Sequence, residues 1–80
     1  SLREKNFSKM RQWVVANVDN DPATVYRKIY DELYNVVDKG SIPQAVLTIA
    51  EYQYKSAFVA DQEINLVACL VELMAECEFV

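Results

Sequence analysis

Apolar residues recur along this chain at intervals of three and four, the spacing that lines one face of an α-helix. Phe7, Met10, Val14 and Val18, widened by Trp13, predict a first helix over 7–18 with Asn6 or Ser8 as its N-cap. The pattern breaks at Asp19-Asn20-Asp21-Pro22, where Asp21 can cap and Pro22 can take the first helical position. Tyr26, Ile29, Tyr30, Leu33 and Val37, extended by Val25 and Val36, then predict a second helix over 22–38. Gly40 fits the left-handed residue that commonly follows a helix, and Lys39 suits the helix's negative end. Ser41-Ile42-Pro43-Gln44 reads as a capping box opening a third helix that reaches residue 58. Its inward stripe is Val46, Ile49, Ala50, Gln53 and Ala57, with Leu47, Tyr52 and Tyr54 on the flanks.

The fourth helix, over 62–77, differs from the others. Ile64, Leu66, Val67, Ala68, Leu70, Val71, Leu73, Met74 and Ala75 run around most of its circumference, leaving Asn65, Cys69, Glu72 and Glu76 as a polar strip. A helix apolar nearly all round has to be covered on most sides. Two readings follow: a central core helix, or a helix shared between its own bundle and a partner. The tyrosine runs (Tyr26, Tyr30, Tyr34 and Tyr52, Tyr54) supply amphipathic area suited to core edges or to interfaces.

Composition narrows the class to a small all-α bundle of four helices, or five, forming a single domain over 1–80. Eighty residues bury only ~60% of the surface that the unfolded chain exposes, so the stability margin is thin. One glycine and two prolines are too few turn formers for a many-stranded barrel or sandwich. An apolar content of 52% is far from the composition of disordered chains. No apolar run is long enough for a membrane span, and the start, Ser-Leu-Arg-Glu-Lys, lacks the apolar segment of a secretory signal. A first residue that is Ser rather than Met reads as an excised or processed piece of a longer chain.

Charge is segregated within a net −4. Residues 1–28 hold six Lys or Arg against three Asp or Glu, a balance of +3, whereas 29–80 hold two against nine, a balance of −7. The basic start could touch a phosphate backbone or simply be the solvated side of the first helix; the later helices would repel DNA.

The chemistry available is sparse. Histidine is absent, which removes the commonest general base near neutral pH and the commonest metal ligand. A single glycine cannot build a phosphate-cradling loop, and three serines have no imidazole to activate them. Glu72 and Glu76, one turn apart, form a carboxylate pair that reads more simply as a solvated helix edge. Cys69 and Cys77 fall in one helix about 12 Å apart along its axis, beyond the ~7 Å Cα limit for a disulfide. They are expected to be free thiols of a reducing compartment. No catalytic, cofactor-binding or metal-ligating residue is assigned, and the chain is expected not to be an enzyme.

One stretch is familiar. Ala50-Glu51-x-x-Tyr54-Lys55, followed by Ala60 and Ile64-Asn65-Leu66-x-Ala68-x-Leu70, resembles the C-terminal collar domain of clamp-loader subunits. Replication factor C small subunits carry Ala-Glu-x-Asp-Tyr-Arg, a Gly-Ala pair and Ile-Gln-Leu-Glu-Ala-Leu-Leu at the same spacing. Ile42-Pro43 looks like the dipeptide that opens the third collar helix there. Ser1-Leu2-Arg3, Lys9-Met10-Arg11, Ile29-Tyr30-Asp31 and the ending from Leu70 to Val80 look more like the clamp-loader ATPase subunit of T-even-type bacteriophages. Val59 stands where that family usually has Gly, and Gln53 where it has Asp.

The resemblance implies a collar, the oligomerisation domain of an AAA+ ATPase subunit that loads a DNA polymerase sliding clamp onto primer–template DNA during DNA replication. It implies other clamp-loader subunits, the sliding clamp and primer–template DNA as partners of the parent protein. It also implies ATP and Mg²⁺ in ATPase domains outside this sequence, the cytoplasm of a bacterial host as location, no membrane, and weak self-association of the isolated domain. Leu66, Leu73 and Cys77, one or two turns apart on the fourth helix, are the expected seam. The alternatives are a stand-alone helical interaction or regulatory module and, less compatible with the acidic later helices, a DNA-binding domain. Titration calorimetry with ATP should show no saturable binding to this chain; a micromolar isotherm would contradict the glycine argument.

Overall fold

The computed structural model describes residues 7–17 and 21–79, and four α-helices account for most of them. Helix α1 is Phe7–Asn17, α2 is Pro22–Val36, α3 is Ile42–Lys55 and α4 is Gln62–Glu76. A short 3₁₀ turn, Lys39–Ser41, joins α2 to α3. The chain is therefore an all-α bundle, as its periodicity requires. Helix α1 lies against α4, α4 against α3, and α3 against α2. The radius of gyration is 11.6 Å, close to the ~12 Å expected of a folded chain this long.

One cluster forms the core. Met10 and Val14 come from α1, Val25, Tyr26, Ile29 and Leu33 from α2, Ala45 and Ile49 from α3, and Leu66, Cys69, Leu70 and Leu73 from α4. Val37 and Cys77, just beyond their helices, complete it. The expected core positions Val18 and the candidate cap Asn6 lie outside the described residues, as does the side chain of Phe7.

The helix ends depart from the expected capping chemistry in instructive ways. Ser8 sits inside α1, not before it, so it is no N-cap. Asp21 occupies the N-cap position of α2 ahead of Pro22, but its side chain makes no cap bond; its backbone carbonyl accepts from the amides of Thr24 and Val25. Helix α2 stops before the expected end because Val37 turns extended, at φ −105° and ψ 137°, to pair with the C-terminal segment. Gly40 is accordingly not a left-handed helix terminator: it lies in the 3₁₀ turn and donates its amide to Asp38 Oδ2 at 3.0 Å.

Ser41 and Gln44 do not form a capping box either. Both are taken by the end of α4. Ser41 Oγ accepts the Glu78 amide at 2.9 Å, and Gln44 Nε2 donates to Glu76 Oε2 at 2.7 Å. With the Asp38 amide donating to the Glu78 carbonyl at 2.9 Å, these bonds clasp the α2–α3 connection to the C-terminal end of α4. Helix α4 itself has a true cap, which the sequence reading did not name: Asp61 Oδ1 accepts the Ile64 amide at 3.2 Å.

Helix α3 is rotated from the expected stripe. Its buried residues are Ala45, Thr48 and Ile49, with Tyr52 half-buried, whereas Ala50, Gln53 and Ala57 are exposed. The reason is that α3 has neighbours on two sides, α2 and α4, and its core face lies between them. The expected stripe instead borders α2. Leu73, fully buried, and Leu47, exposed, make a matched test of this phase. Leu73→Ala should cost about 2–5 kcal/mol, and Leu47→Ala within about 0.5 kcal/mol, read from urea unfolding midpoints. Equal costs would contradict the packing.

Candidate protein–protein interface

The rotation of α4 decides which of its apolar residues are left uncovered. Two observations set that rotation. Asn65, only 7% exposed, donates its Nδ2 to Tyr26 Oη at 2.9 Å and to the Tyr52 carbonyl at 3.2 Å. Arg11 of α1 meets Glu63 on the opposite edge at 3.7 Å. With α3 on one edge and α1 on the other, Leu66, Cys69, Leu70 and Leu73 point into the bundle.

This corrects the expected seam. Leu66 is 4% exposed, Leu73 0% and Cys77 4%, so all three are spent on the protein's own core and none is available to a neighbour. The expected polar strip is likewise split: Asn65 and Cys69 are buried, Glu72 is half-buried and Glu76 is exposed beside α3. Asn65, which looks solvent-facing on a helical wheel, is interior because the helix is anchored through it, and Cys69, one turn further on, is buried on the same side.

The outer side of α4 is Ile64, Ala68, Val71 and Ala75, spaced four, three and four residues apart, with Ala68 half-buried and the other three exposed. Ile64 is 68% exposed and Val71 40%. No charged side chain interrupts this strip. Its edges are acidic, with Glu63 toward α1 and Glu72 and Glu76 toward α3, and α4 carries no base. On the neighbouring helix, Leu47 and Tyr54 stand exposed, and Tyr54 packs on Phe58 with ring centroids 5.3 Å apart. Large apolar side chains scattered singly are ordinary on a surface; an uninterrupted helical row is the feature that marks an interaction face.

A concavity lies between α2 and α3, where Val46, Ile49, Ala50 and Gln53 face Tyr26, Arg27 and Tyr30 across about 290 Å³. It is the expected α3 stripe, opened into a groove. Its cation is engaged: Arg27 Nε lies 3.1 Å from Asp31 Oδ1, and its guanidinium sits 5.2 Å from the Tyr30 ring centre. Tyr30 in turn meets Tyr34 edge-on, with centroids 5.8 Å apart.

Among the described residues no group of three His, Cys, Asp or Glu is placed to hold a metal ion, and no helix is long and apolar enough to cross a membrane. Both cysteines are free and buried. Comparison with protein-family models and with curated proteins finds no match.

Burial gives the interior a definite pH response. It pushes the Cys69 thiol up to about 12, with the Glu72 charge adding to it. It also pushes the Tyr26 hydroxyl up to about 12, with Cys69 adding and the Asn65 hydrogen bond opposing. Both groups therefore hold their protons in the fold after the unfolded chain has begun to lose them, at about 9 for Cys and about 10 for Tyr. The stability tied to them is whole below about pH 9 and is lost as pH rises toward 12. Urea midpoints should fall between pH 8 and about 10.5, and Tyr26→Phe with Cys69→Ala should flatten that fall. A wild-type midpoint unchanged over this span would contradict the burial of these groups.

Proposed function

We propose that the chain is an oligomerisation module, the collar of a clamp-loader-type AAA+ ATPase subunit, which holds that subunit in its ring during loading of the sliding clamp onto primer–template DNA. The observation that carries the assembly role is the charge-free row on α4. A bundle this small exposes Ile64 and Val71 along one face of the helix that also supplies Leu66, Leu70 and Leu73 to its core. The collar identity rests on the resemblance to clamp-loader subunits, and one segment that carries it, Ile64-Asn65-Leu66-x-Ala68-x-Leu70, contains the α4 anchor, at a position where that family has Gln, and the start of that row.

In this reading ATP, Mg²⁺, the clamp and DNA are handled by other parts of the parent protein, and this domain contributes subunit contacts. The charge pattern supports that division of labour. Helix α1 carries Lys9 and Arg11 without an acid, whereas α4 carries three glutamates without a base, so the α4 face is unsuited to a phosphate backbone. The groove between α2 and α3 favours a second reading, a stand-alone adaptor that captures a partner's apolar side chains.

Sequencing the reading frame upstream of Ser1 separates the two. The collar reading expects a Gly-rich phosphate loop followed by Lys and Ser or Thr in the same frame, and expects deletion of residues 1–80 to abolish ring assembly of the parent. A frame that opens at this domain without an ATPase would overturn it.

A further inference from the structure

We propose that Cys77–Phe79, the segment after α4, is a latch with two settings, and that α2 and α3 carry a second set of helix ends for the setting in which it is open. The proposal goes beyond the assembly reading above and does not depend on it.

In the closed setting the latch crosses the corner between α2 and α3. The Asp38 amide donates to the Glu78 carbonyl and the Glu78 amide to Ser41 Oγ, both at 2.9 Å. Gln44 Nε2 donates to Glu76 Oε2 at 2.7 Å, and Val37 bridges Phe79. Beneath lie Val37 and Cys77, each 4% exposed, with Phe79 half-buried against the core. The clasping groups themselves stand at the surface: Asp38, Gln44 and Glu78 are exposed and Ser41 is half-buried. Bonds at a wet edge open far more often than bonds inside a core.

A latch differs from a frayed end in having somewhere else for its partners to go. Helical spacing in α2 runs on through Val37 to Asp38, and Lys39-Gly40 follows with the make-up of a helix terminus. In the open setting α2 reaches Asp38, whose amide passes from Glu78 to the Tyr34 carbonyl four residues back. Gly40, which lies in the 3₁₀ turn when closed, takes the left-handed position after that longer helix. Val37 sits one turn beyond Leu33, so it stays on the core face. Ser41 makes no side-chain cap bond to α3 when closed. Released from Glu78, its Oγ accepts the Gln44 amide, and Gln44 Oε1, released from Glu76, accepts the Ser41 amide.

Opening therefore exchanges bonds across the fold for local bonds of the same kind, and hands Glu76 and Glu78 to water. Its main cost is the uncovering of Cys77 and Phe79. Two arrangements so nearly matched in hydrogen bonding form a bistable corner. Closed, it ties the last turn of α4 to α2 and α3; open, it leaves α4 held through Asn65 and the core alone.

The thiol under the latch reads its opening. N-ethylmaleimide is added to the 80-residue protein, peptide masses assign the label to Cys69 or Cys77, and each rate is divided by that of the urea-unfolded chain. Cys77 should react at least about tenfold faster than Cys69. Its rate should stay nearly flat in dilute urea, while that of Cys69 climbs as the whole bundle opens. Gln44→Glu cannot donate to Glu76 yet suits the capping box, and should speed Cys77 labelling about tenfold. Gly40→Asn and Gly40→Ala place the same Cβ 3.2 Å from Asp38 Oδ2 when closed. They differ in their tolerance of the left-handed position, so the Ala variant should label about threefold more slowly than the Asn variant. Far-UV circular dichroism and urea midpoints check that each variant keeps the bundle. Equal rates and urea slopes for the two thiols would leave no local opening, and equal rates for Gly40→Ala and Gly40→Asn would leave no second helix end. A Gln44→Glu rate no faster than wild type would remove the clasp as what holds the latch. Each of these overturns the proposal, and none bears on ring assembly or on an ATPase upstream.

Discussion

Everything outward on this bundle depends on one inward hydrogen-bonding group, the Asn65 amide. A helix apolar around most of its circumference has no strong preference for one rotation, because several faces would bury similar area. Asn65 removes that degeneracy. Its Nδ2 reaches the Tyr26 hydroxyl of α2 and the Tyr52 carbonyl of α3, and turning α4 would leave buried polar groups without partners. An unmade bond of that kind costs about 1–3 kcal/mol, a large share of the margin available to a domain of this size. The amide thus fixes three helices against one another and leaves Ile64, Ala68, Val71 and Ala75 outside.

The clasp at the other end of α4 works in the same direction. Ser41 and Gln44 give up local capping to bond Glu78 and Glu76, and Val37 pairs with Phe79 rather than extending α2. Local helix-end stabilisation is exchanged for contacts between residues far apart in sequence. The result is an α4 anchored by polar groups near its first turn and again past its last, which gives a flat outer row a defined orientation.

How much of this was legible in the sequence divides along physical lines. Helix number, type and order follow from three- and four-residue spacing, and the structure agrees with them within a few residues at each end. That the two thiols are free follows from the spacing of Cys69 and Cys77; that both are buried does not. Rotation was not legible. A helical wheel assigns Asn65 and Cys69 to water because they are polar or small, whereas the tertiary hydrogen bonds of Asn65 draw that side inward, and Cys69, Leu66, Leu73 and Cys77 are buried with it. Helix α3 shows the same effect: a helix with two neighbours has a core face between two stripes, and periodicity alone cannot choose between them. Capping was half legible, because Ser41 has the right chemistry at the right place and a competing partner, the Glu78 amide, that only the fold supplies.

A small domain with an unpaid apolar row has its stability and its assembly linked. With only ~60% of its unfolded surface buried, a chain of this length keeps little free energy in reserve, and any partner that binds the folded form alone adds to it by mass action. Covering Ile64 and Val71 would remove apolar area from water on a helix whose inner face already carries Leu66, Leu70 and Leu73. The two sides of α4 then act on each other: inner packing holds the outer row in line, and occupancy of the outer row favours the folded state that presents it. Placed on α4, each contact made between molecules also resists unfolding within them.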